Sequence, residues 1–340
     1  MNSEPTDGQG VKSKNFSKYL IHKYREKNVK ILDTNLWKKN PLLFFLNYIK
    51  LFNECENIVI MPAQNGIKVL LPVGVILKKL FNKKVHYVVI GGWLPEFLKN
   101  HSFLKKYVKY MDSIHVETYS MIEKLKHIGF EKCFYMPNFK YIKTIDLKSI
   151  NNTNLRPYNL CTFSRVSKSK GIEDAINAVK LINEKYKEKI VTLDIYGRIE
   201  DEYLSDFKIV VKENSEYVKY KGEINANNSV DVLKNYFLLM FPTFYEGEGF
   251  AGTILDGFAA GLPIIASKWK YNSELIKNGE NGFLHDVNDI KQISEQIDYC
   301  ITNSNVVNEI KVNNLKKYTK YTPEKVMNQF LNNIQMGDEI

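Results

Sequence analysis

The segment Phe241–Asp286 carries the residues whose types and spacing are best suited to chemistry. It predicts an apolar strand, a glycine-rich turn containing Glu248, and a helix that begins near Ala251. Free backbone N–H groups at a helix start, together with the positive end of the helix dipole, form a site suited to phosphate. Glycines that would let a ligand approach the backbone closely stand at positions 247, 249 and 252.

Two carboxylates, Glu248 and Asp256, lie on this turn and helix with seven residues between them. Because that spacing corresponds to two helical turns, both side chains lie near one face and could contact one extended ligand. A carboxylate at Asp256 is placed to accept hydrogen bonds from a ribose diol. The alternative interpretation is a helix N-terminus with acidic residues that only favour its dipole.

A second loop, Phe163–Gly171, follows a predicted strand and leads into a predicted helix. Its Arg165 and Lys170 would project from the end of the strand toward the crevice in which α/β folds bind ligands. A guanidinium and an ammonium five residues apart can clamp a diphosphate, the first through its fork and the second as a point charge. The alternative is a pair of solvated surface charges.

Short apolar runs alternate with helix-length amphipathic segments along the whole chain. This rhythm predicts parallel sheets joined by right-handed crossovers, which is the doubly wound α/β class. About ten predicted strands exceed one comfortable sheet, so we expect two Rossmann-like domains. The polar segment Lys143–Pro157 has no apolar period and is the predicted linker, with a domain boundary near residue 150.

The beginning of the chain departs from this rhythm. A doubly wound half opens with a strand that leads into its first glycine-rich turn, but here Gly8-Gln9-Gly10 follows seven polar residues. The sequence therefore predicts that the first strand is missing or that the natural protein starts upstream. The first strand that it does predict is Val29–Leu32.

Composition excludes several classes of protein. The chain has 340 residues with 44% hydrophobic and 25% charged residues, which is typical of a globular protein. Four scattered cysteines without CxxC spacing argue against a zinc site and a disulfide framework. The longest apolar run, Val69–Leu77, is nine residues and too short to span a bilayer. With no secretory signal pattern at its start, the chain is predicted to be cytoplasmic.

The positive charge lies entirely in the first half. Residues 1–150 contain 25 Lys and Arg against 12 Asp and Glu, whereas the remainder contains 23 against 26. Such a field attracts an anionic partner. Lysine pairs beside apolar residues indicate the rim of a membrane-surface patch, although an ordinary solvated surface is the alternative. No nucleic-acid motif accompanies the charge, so nucleic acid is not an expected partner.

These motifs together resemble the retaining nucleotide-sugar glycosyltransferases of the GT-B fold, specifically glycosyltransferase family 4. The family's Glu-x7-Glu motif reads Glu248-x7-Asp256 here, and Ala259–Pro263 supplies its Gly-x-Pro ending. Further matches are Arg165 with Lys170-Gly171, Asp194–Gly197, Lys221-Gly222, Met136–Asn138 and Glu274–Leu284. The resemblance is most specific in residues 160–286 and weakens before residue 110.

The resemblance implies two Rossmann-like domains facing each other across a cleft. Residues 1–150 would bind the acceptor, residues 151–321 would bind the donor, and a C-terminal helix in 322–340 would pack back toward the first domain. The implied catalytic residues are Arg165, Lys170 and Glu248. The implied donor-binding residues are Gly8, Gly10, Gly197, Arg198, Gly249, Phe250, Ala251, Gly252, Thr253 and Asp256.

The resemblance implies roles along the donor from phosphate to base, where Tyr196–Arg198 would lie near the base. Arg165 and Lys170 would neutralise the departing diphosphate, Asp256 would hold the ribose, and Glu248 would hold the sugar. No metal and no cofactor are expected, because fixed cations stabilise the leaving charge. The expected partners are a nucleotide-sugar (UDP-sugar favoured), a glycan or polyprenyl-diphosphate-linked acceptor for a surface polysaccharide, and an anionic membrane at the inner face of the plasma membrane.

Two departures from the family pattern, besides the missing first strand, limit what it implies. Asp256 replaces the second Glu and is one methylene shorter. Where many relatives have a histidine after a strand, this chain has Gly91–Pro95, so the acceptor-side group is unassigned; Trp93 is read as either a sugar-stacking residue or a core tryptophan. His86 and His115 are predicted to be structural. The alternative functions are a nucleotide-sugar 2-epimerase and an inactive, truncated nucleotide-sugar-binding protein.

Overall fold

The computed structural model describes residues 8–146 and 155–335. The chain divides into two compact units. Unit 1 consists of the described residues up to Lys140 together with those from Thr322 onward, and unit 2 is Tyr141–Tyr321. The predicted boundary near residue 150 lies outside the described residues, and residues 141–146 belong to unit 2.

Ten strands are present in the described part of the chain. They are β1 (Asn57–Ile60), β2 (Lys84–Val88), β3 (Ser113–Val116), β4 (Cys133–Tyr135), β5 (Tyr158–Phe163), β6 (Val191–Tyr196), β7 (Val218–Gly222), β8 (Leu238–Phe241), β9 (Ile264–Ser267) and β10 (Gly282–His285).

Fifteen α-helices accompany them over the same described ranges. They are α1 (Gly8–Tyr24), α2 (Asn35–Lys39), α3 (Pro41–Glu54), α4 (Gln64–Phe81), α5 (Leu94–Lys99), α6 (Ser102–Val108), α7 (Tyr119–His127), α8 (Ile172–Tyr186), α9 (Leu204–Glu213), α10 (Ser229–Leu233), α11 (Gly252–Ala259), α12 (Asn272–Leu275), α13 (Ile290–Thr302), α14 (Ser304–Tyr318) and α15 (Pro323–Gln335).

Unit 1 is built on a parallel sheet in the order β1-β2-β3-β4. The prediction of a strand at Val29–Leu32 is wrong: this segment joins no sheet, and its Ile31 is 47% exposed. The physical reason is the lack of a partner, because a strand needs a hydrogen-bonded neighbour and β1 pairs only with β2 among the described residues.

The predicted turn at Gly8-Gln9-Gly10 is also wrong, because Gly8 and Gly10 lie in the first turns of α1. No strand precedes β1 in residues 8–56. Instead, α1 joins unit 1 through its side chains: Phe16 contacts Phe330 of α15 edge-to-face with ring centroids 5.1 Å apart. The buried ammonium of Lys12 lies 2.6 Å from the Glu117 carboxylate just after β3.

Unit 2 is built on a parallel sheet in the order β10-β9-β8-β5-β6-β7. The chain therefore extends the sheet from β5 to β7 in one direction and returns to add β8 on the other side of β5. This return makes β5 and β8 the topological switch point, where open α/β sheets bind ligands beyond the carboxyl ends of the strands. Each unit thus has an α/β architecture built on one parallel sheet.

Both faces of the unit 2 sheet are covered, which explains its apolar strands. One face packs Ile176, Val179 and Ile182 of α8, and the other packs Ile254 and Phe258 of α11. The short β10 and the helices α9, α12 and α14 were not predicted from the sequence. The shorter of these elements depend on tertiary packing for their stability, so local patterns indicate them poorly. Helix α14 is 15 residues long, but its buried face includes the polar Lys311 and Asn314, which interrupt the apolar pattern.

None of the helices in residues 8–146 and 155–335 combines the length and the apolar character that crossing a bilayer requires.

Candidate functional site

The loops that follow β5 and β8 bring the three predicted catalytic residues together. Arg165 stands two residues after the end of β5, Lys170 ends a short 3₁₀ turn in the same loop, and Glu248 lies in the turn after β8. Since β5 and β8 are neighbours in a parallel sheet, their carboxyl ends meet at one edge. The two motifs, far apart in sequence, thus form one site at the switch point of unit 2.

Lys170 and Glu248 form a buried ion pair at the centre of this site. The Lys170 Nζ lies 2.5 Å from the Glu248 Oε2, and each side chain is 8% exposed. The hydroxyl of Thr243 donates to the same carboxylate oxygen at 2.9 Å. A buried charge pair is stable only with good geometry and further hydrogen bonds, and this pair has both.

Tyr245 links the two cations. The Lys170 Nζ lies 4.6 Å from the centroid of the Tyr245 ring, and the Arg165 guanidinium carbon lies 5.5 Å from the same centroid. Both distances are within the range of a cation–π attraction. The guanidinium of Arg165 is half-exposed and also contacts Glu200 at 2.8 Å. One aromatic ring therefore holds a buried ammonium and a more accessible guanidinium beside each other.

Two backbone contacts fix the loops against each other. The Phe244 N–H donates to the Ser169 carbonyl at 2.8 Å. Gly171 has φ +67°, and a Cβ at this position would stand 2.1 Å from the Pro242 carbonyl oxygen. Glycine is therefore required by close backbone packing at the start of α8. This contact brings the Lys170 loop next to the end of β8.

Gly197, a predicted donor-binding residue, has a structural requirement of its own. Its φ is +132°, and a Cβ there would stand 1.8 Å from the Ser164 carbonyl oxygen. The neighbouring Arg198 is exposed, and its carbonyl accepts the Val166 N–H at 2.8 Å. The Gly197–Arg198 turn after β6 thus lies directly beside the Arg165 loop.

The turn and helix after Glu248 follow the predicted arrangement, with α11 beginning at Gly252. Thr253, predicted to bind donor, donates its hydroxyl to the Phe163 carbonyl at 2.6 Å and so ties α11 to the end of β5. Gly249, Phe250 and Ala251 are buried in this turn. The Phe250 ring packs edge-to-face on Tyr321 with centroids 4.9 Å apart.

Asp256 is buried within α11 and has 1% of its surface exposed. The hydroxyl of Ser229, at the start of α10, donates to the Asp256 Oδ1 at 2.9 Å. Glu248 and Asp256 thus have different hydrogen-bonding partners, one from the β5–α8 loop and one from α10. A ligand bound by the Asp256 carboxylate would therefore also lie close to the Ser229 hydroxyl.

A cavity of about 300 Å³ lies beside β6 in unit 2. It is lined by Asn159, Asp194, Tyr196, Asp231, Val232, Asn235 and Tyr236. The Tyr236 hydroxyl donates to Asp194 at 2.7 Å and lies 2.7 Å from the Tyr196 hydroxyl. Burial, followed by these hydrogen bonds, raises the pKa of Tyr236, so the phenol stays protonated.

The remaining predicted residues lie in unit 1. Gly8 and Gly10 belong to α1 of that unit. Trp93 is 9% exposed, donates its indole N–H to the Ile90 carbonyl at 2.9 Å and packs on Phe97, as expected of a core tryptophan. The structural assignment of His86 and His115 is confirmed, because both are buried and lie 2.7 Å from the Ser113 hydroxyl.

Three residues of the site were missed from the sequence: Thr243, Tyr245 and Ser229. Thr243 and Tyr245 stand in the stretch after β8, a position that could have drawn attention to them. Ser229 has no signal of its own in the sequence.

Over the described ranges, no group of three or more His, Cys, Asp or Glu side chains is arranged to hold a metal ion.

A family model described as glycosyl transferases group 1 matches residues 144–321, slightly more than half of the chain. The chain belongs to this family. The match covers the two loops that carry Arg165, Lys170 and Glu248, together with α11 and its Asp256. The candidate site therefore lies within a glycosyltransferase domain.

Curated relatives match at modest identity. The GtfA subunit of the UDP-N-acetylglucosamine–peptide N-acetylglucosaminyltransferase of Streptococcus gordonii is 24% identical over 278 residues, which are 78% of this chain and 52% of that protein. The capsular polysaccharide biosynthesis glycosyltransferase CapM of Staphylococcus aureus is 27% identical over 156 residues, 45% of this chain and 39% of that protein. The chain spans about half of the length of these relatives or less.

Solved glycosyltransferase structures share this fold of two α/β domains with parallel sheets, which is the GT-B fold. The Anabaena HepE protein in complex with UDP aligns with a TM-score of 0.76 at 15% identity, covering 98% of this chain and 97% of that one. The pneumococcal O-GlcNAc transferase GtfA in complex with UDP and GlcNAc aligns with a TM-score of 0.69 at 19% identity, covering 87% of this chain and 60% of that one.

Proposed function

We propose that the chain is a retaining, metal-independent glycosyltransferase of family 4 that transfers a hexosyl-type sugar from a UDP-sugar to a glycan or lipid-linked acceptor. The observation that carries the proposal is the convergence of Lys170 and Arg165 on the Tyr245 ring at the switch point of unit 2, with Glu248 paired to Lys170. Two cations beside a carboxylate suit a ligand with a diphosphate next to a polyhydroxyl group.

Each residue has a role in the proposed reaction. Lys170 and Arg165 neutralise the negative charge that develops on the diphosphate as the glycosidic bond breaks. Glu248, held by Lys170 and Thr243, accepts hydrogen bonds from the sugar hydroxyls. Asp256 accepts hydrogen bonds from the ribose diol. The departing phosphate removes the acceptor proton, so attack occurs on the face that the phosphate leaves.

Uridine is the proposed base because related proteins carry UDP in their names or complexes. The Streptococcus GtfA subunits are named for a UDP-N-acetylglucosamine donor, and the HepE and GtfA structures hold UDP. The proposed acceptor is a surface glycan or its polyprenyl-diphosphate-linked precursor. Support comes from CapM, which is named for capsular polysaccharide biosynthesis, and from the lipopolysaccharide outer core galactosyltransferase WaaB, which shares the fold with a TM-score of 0.70.

Isothermal titration of the full chain with UDP, GDP and ADP tests the donor site. We expect micromolar affinity for UDP, retained in excess EDTA, with at least a tenfold loss in Asp256→Ala. A matched control is Asp298→Ala, which alters an ion pair with Lys185 elsewhere on unit 2. Equal binding of UDP by the wild type and Asp256→Ala would contradict the ribose role, and no binding of any nucleotide would contradict the proposal.

Incubation with UDP-sugars separates transfer from the alternative activities. A transferase releases UDP faster when an acceptor glycan is added, and the new glycosidic bond keeps the configuration of the donor. A nucleotide-sugar 2-epimerase would convert the UDP-sugar without an acceptor. Binding without either reaction would indicate a nucleotide-sugar-binding protein.

The cellular place of the chain also stays a prediction. We expect it in the cytoplasm, associated peripherally with the inner face of the plasma membrane through its basic first half. Recovery of the chain with the membrane fraction of lysed cells, and its release at high salt, would support this arrangement.

A further inference from the structure

Helix α3 of unit 1 is apolar on two opposite faces, and one of them is exposed. Its buried face consists of Phe44, Tyr48 and Phe52. On the opposite face, Leu42, Leu46 and Ile49 are 72%, 57% and 41% exposed. A helix that is apolar all round is normally buried, so this α3 stripe (Leu42, Leu46 and Ile49) calls for a covering partner.

Helix α4, which packs against α3, has a stripe of the same kind. The two helices are joined where the Tyr48 hydroxyl donates to the Leu70 carbonyl at 3.2 Å. The α4 stripe consists of Val69, Ile76 and Leu80, which are 38%, 61% and 72% exposed. These residues follow helical spacing and so share one side of α4.

The short helix α2 adds an aromatic residue at the start of α3. Trp37 is 38% exposed and lies edge-on to Phe45, with ring centroids 5.1 Å apart. Tryptophan is favoured at membrane interfaces, because its ring is amphipathic.

Exposed lysines stand directly beside these apolar residues. Between positions 35 and 83 the sequence contains seven lysines against two acidic residues. The exposed members are Lys38 and Lys39 next to Trp37, Lys50 next to Ile49, Lys68 next to Val69, and Lys79 next to Leu80. Of these, Lys50 already has an acidic neighbour, because its ammonium lies 3.7 Å from the Glu54 carboxylate. Apolar side chains with a rim of lysines are the composition of helices that lie in the interface of an anionic bilayer.

The charge decides between possible partners. A second copy of the chain would bring two basic surfaces together, and their like charges would repel. A purely apolar protein segment would cover the leucines but would leave the lysines without a counterpart. An anionic bilayer accommodates both, because its acyl region accepts the apolar side chains and its headgroups attract the lysines.

We propose that α2, α3 and α4 form a membrane-docking surface for anionic phospholipid, with the α3 stripe entering the acyl boundary and Lys38, Lys39, Lys68 and Lys79 contacting headgroup phosphates. This inference deepens the predicted membrane association. It is tested without donor or acceptor, so its failure is distinguishable from failure of the proposed transferase activity.

Co-sedimentation of the full chain with vesicles provides the test. One set of vesicles contains equal parts of phosphatidylglycerol and phosphatidylcholine, and the other contains phosphatidylcholine alone. We expect the wild type to bind the anionic vesicles, to bind more weakly as salt rises, and to bind phosphatidylcholine at least about tenfold more weakly. Binding that is equal on both sets, or absent from both, would overturn the proposal.

Two substitutions with matched exposure locate the surface. Leu46→Glu lies on the α3 stripe, and Ile209→Glu lies on α9 of unit 2; both native side chains are 57% exposed. We expect Leu46→Glu to weaken anionic binding about tenfold or more, because burial of a leucine side chain is lost and a repelled charge is gained. Ile209→Glu should bind as the wild type does, and an equal loss in both variants would overturn the assignment.

Two further measurements test the role of the lysines and the possibility that a second copy of the chain covers the surface. The double variant Lys38→Gln/Lys39→Gln should lower both the affinity for anionic vesicles and its salt dependence, and an unchanged salt dependence would contradict the role of these lysines. Light scattering should give the same mass for the wild type and Leu46→Glu. A wild-type dimer that Leu46→Glu converts to a monomer would overturn the proposal in favour of a second copy.

Discussion

Lys170 and Glu248, 78 residues apart in the chain, meet through a 2.5 Å contact in the interior of unit 2. Each side chain is only 8% exposed, so water solvates neither charge well and each is stabilised by the other. This ion pair joins the loop after β5 to the turn after β8 and so holds the candidate site together. Its contribution can be measured as a change in the free energy of unfolding.

Removing the lysine should destabilise unit 2 as well as abolish turnover. Lys170→Met leaves the Glu248 carboxylate buried without its cation, and we expect the free energy of unfolding to fall by about 3 kcal/mol. Transfer should fall by at least about a hundredfold, because a cation that stabilises the leaving charge is lost. Urea unfolding and initial-rate assays measure the two effects.

A surface pair in the same unit is the control for Lys170→Met. Lys185 lies 2.7 Å from Asp298, but the lysine side chain is 59% exposed. Lys185→Met should change the unfolding free energy by less than about 1 kcal/mol. Equal losses in the two variants would show that burial does not strengthen the Lys170–Glu248 pair.

The Tyr245 ring should matter for catalysis through its face and not through its hydroxyl. Tyr245→Phe keeps the face that contacts Lys170 and Arg165 and should retain most of the turnover. Tyr245→Leu removes the cation–π contacts, worth about 0.5–2 kcal/mol each, and should lower kcat about tenfold. If Tyr245→Phe were as impaired as Tyr245→Leu, the hydroxyl would be the functional group.

Ser229 should affect nucleotide binding without touching the phosphates. Its hydroxyl donates to Asp256 at 2.9 Å, so Ser229→Ala removes one hydrogen bond to a buried carboxylate. Given the proposed ribose role of Asp256, we expect a five- to tenfold weaker UDP affinity by titration calorimetry, which corresponds to about 1 kcal/mol, the net contribution of one hydrogen bond. The same variant should leave the affinity for free pyrophosphate unchanged, and a loss there would contradict the assignment to the ribose end.

Gly171 should tolerate no side chain. Gly171→Ala combines a left-handed φ of +67° with a Cβ placed 2.1 Å from the Pro242 carbonyl oxygen. We expect more than about 3 kcal/mol of lost stability, since backbone must move in addition to the conformational strain. Gly222→Ala is the matched control, because Gly222 has φ +81° but nothing within 4 Å of its Cβ position. It should lose only about 1–2 kcal/mol, the conformational strain alone.

His115 should make unit 1 sensitive to mild acid. Burial is the main cause that lowers the pKa of His115 to about 3, with the nearby His86 and Lys12 adding to it. The unfolded chain has an ordinary histidine pKa of about 6.5, so between these values the unfolded state binds more protons. Stability is therefore retained above about pH 6.5 and falls by about 1.4 kcal/mol for each pH unit below it.

Two variants test the contribution of His115. His115→Phe should reduce the loss of stability between about pH 7 and about pH 5, measured by urea unfolding. His22→Gln, at an exposed position on α1, should show the same pH dependence as the wild type. An unchanged pH dependence in His115→Phe would assign the acid sensitivity to other groups.

The strand-and-helix rhythm of the sequence predicted the α/β class and most of the elements. Short apolar runs such as Ser113–Val116 and Leu238–Phe241 are strands in the structure, because buried parallel strands are short apolar runs between helix-length segments. The strand predicted at Val29–Leu32 failed for a non-local reason: an apolar run becomes a strand only beside a partner. The turn predicted at Gly8–Gly10 failed because glycines also occur in a helical first turn that tertiary contacts stabilise.

The chemical identity of the candidate site was also contained in the sequence. The residue types of Arg165, Lys170, Glu248 and Asp256, and their positions after apolar runs, indicated cations and carboxylates at the carboxyl ends of strands. That inference needs only local patterns, since a parallel strand must end where its apolar run stops.

Only the tertiary structure decided how these groups are paired. The sheet order that places β5 beside β8 brings Lys170 to Glu248 and Thr243, and it brings the Tyr245 ring within reach of both Lys170 and Arg165. Packing of α10 against α11 likewise supplies Ser229 to Asp256. Contacts of this kind depend on strand order and on which helix faces meet. No local pattern encodes either, because both are set by the burial of the whole apolar surface.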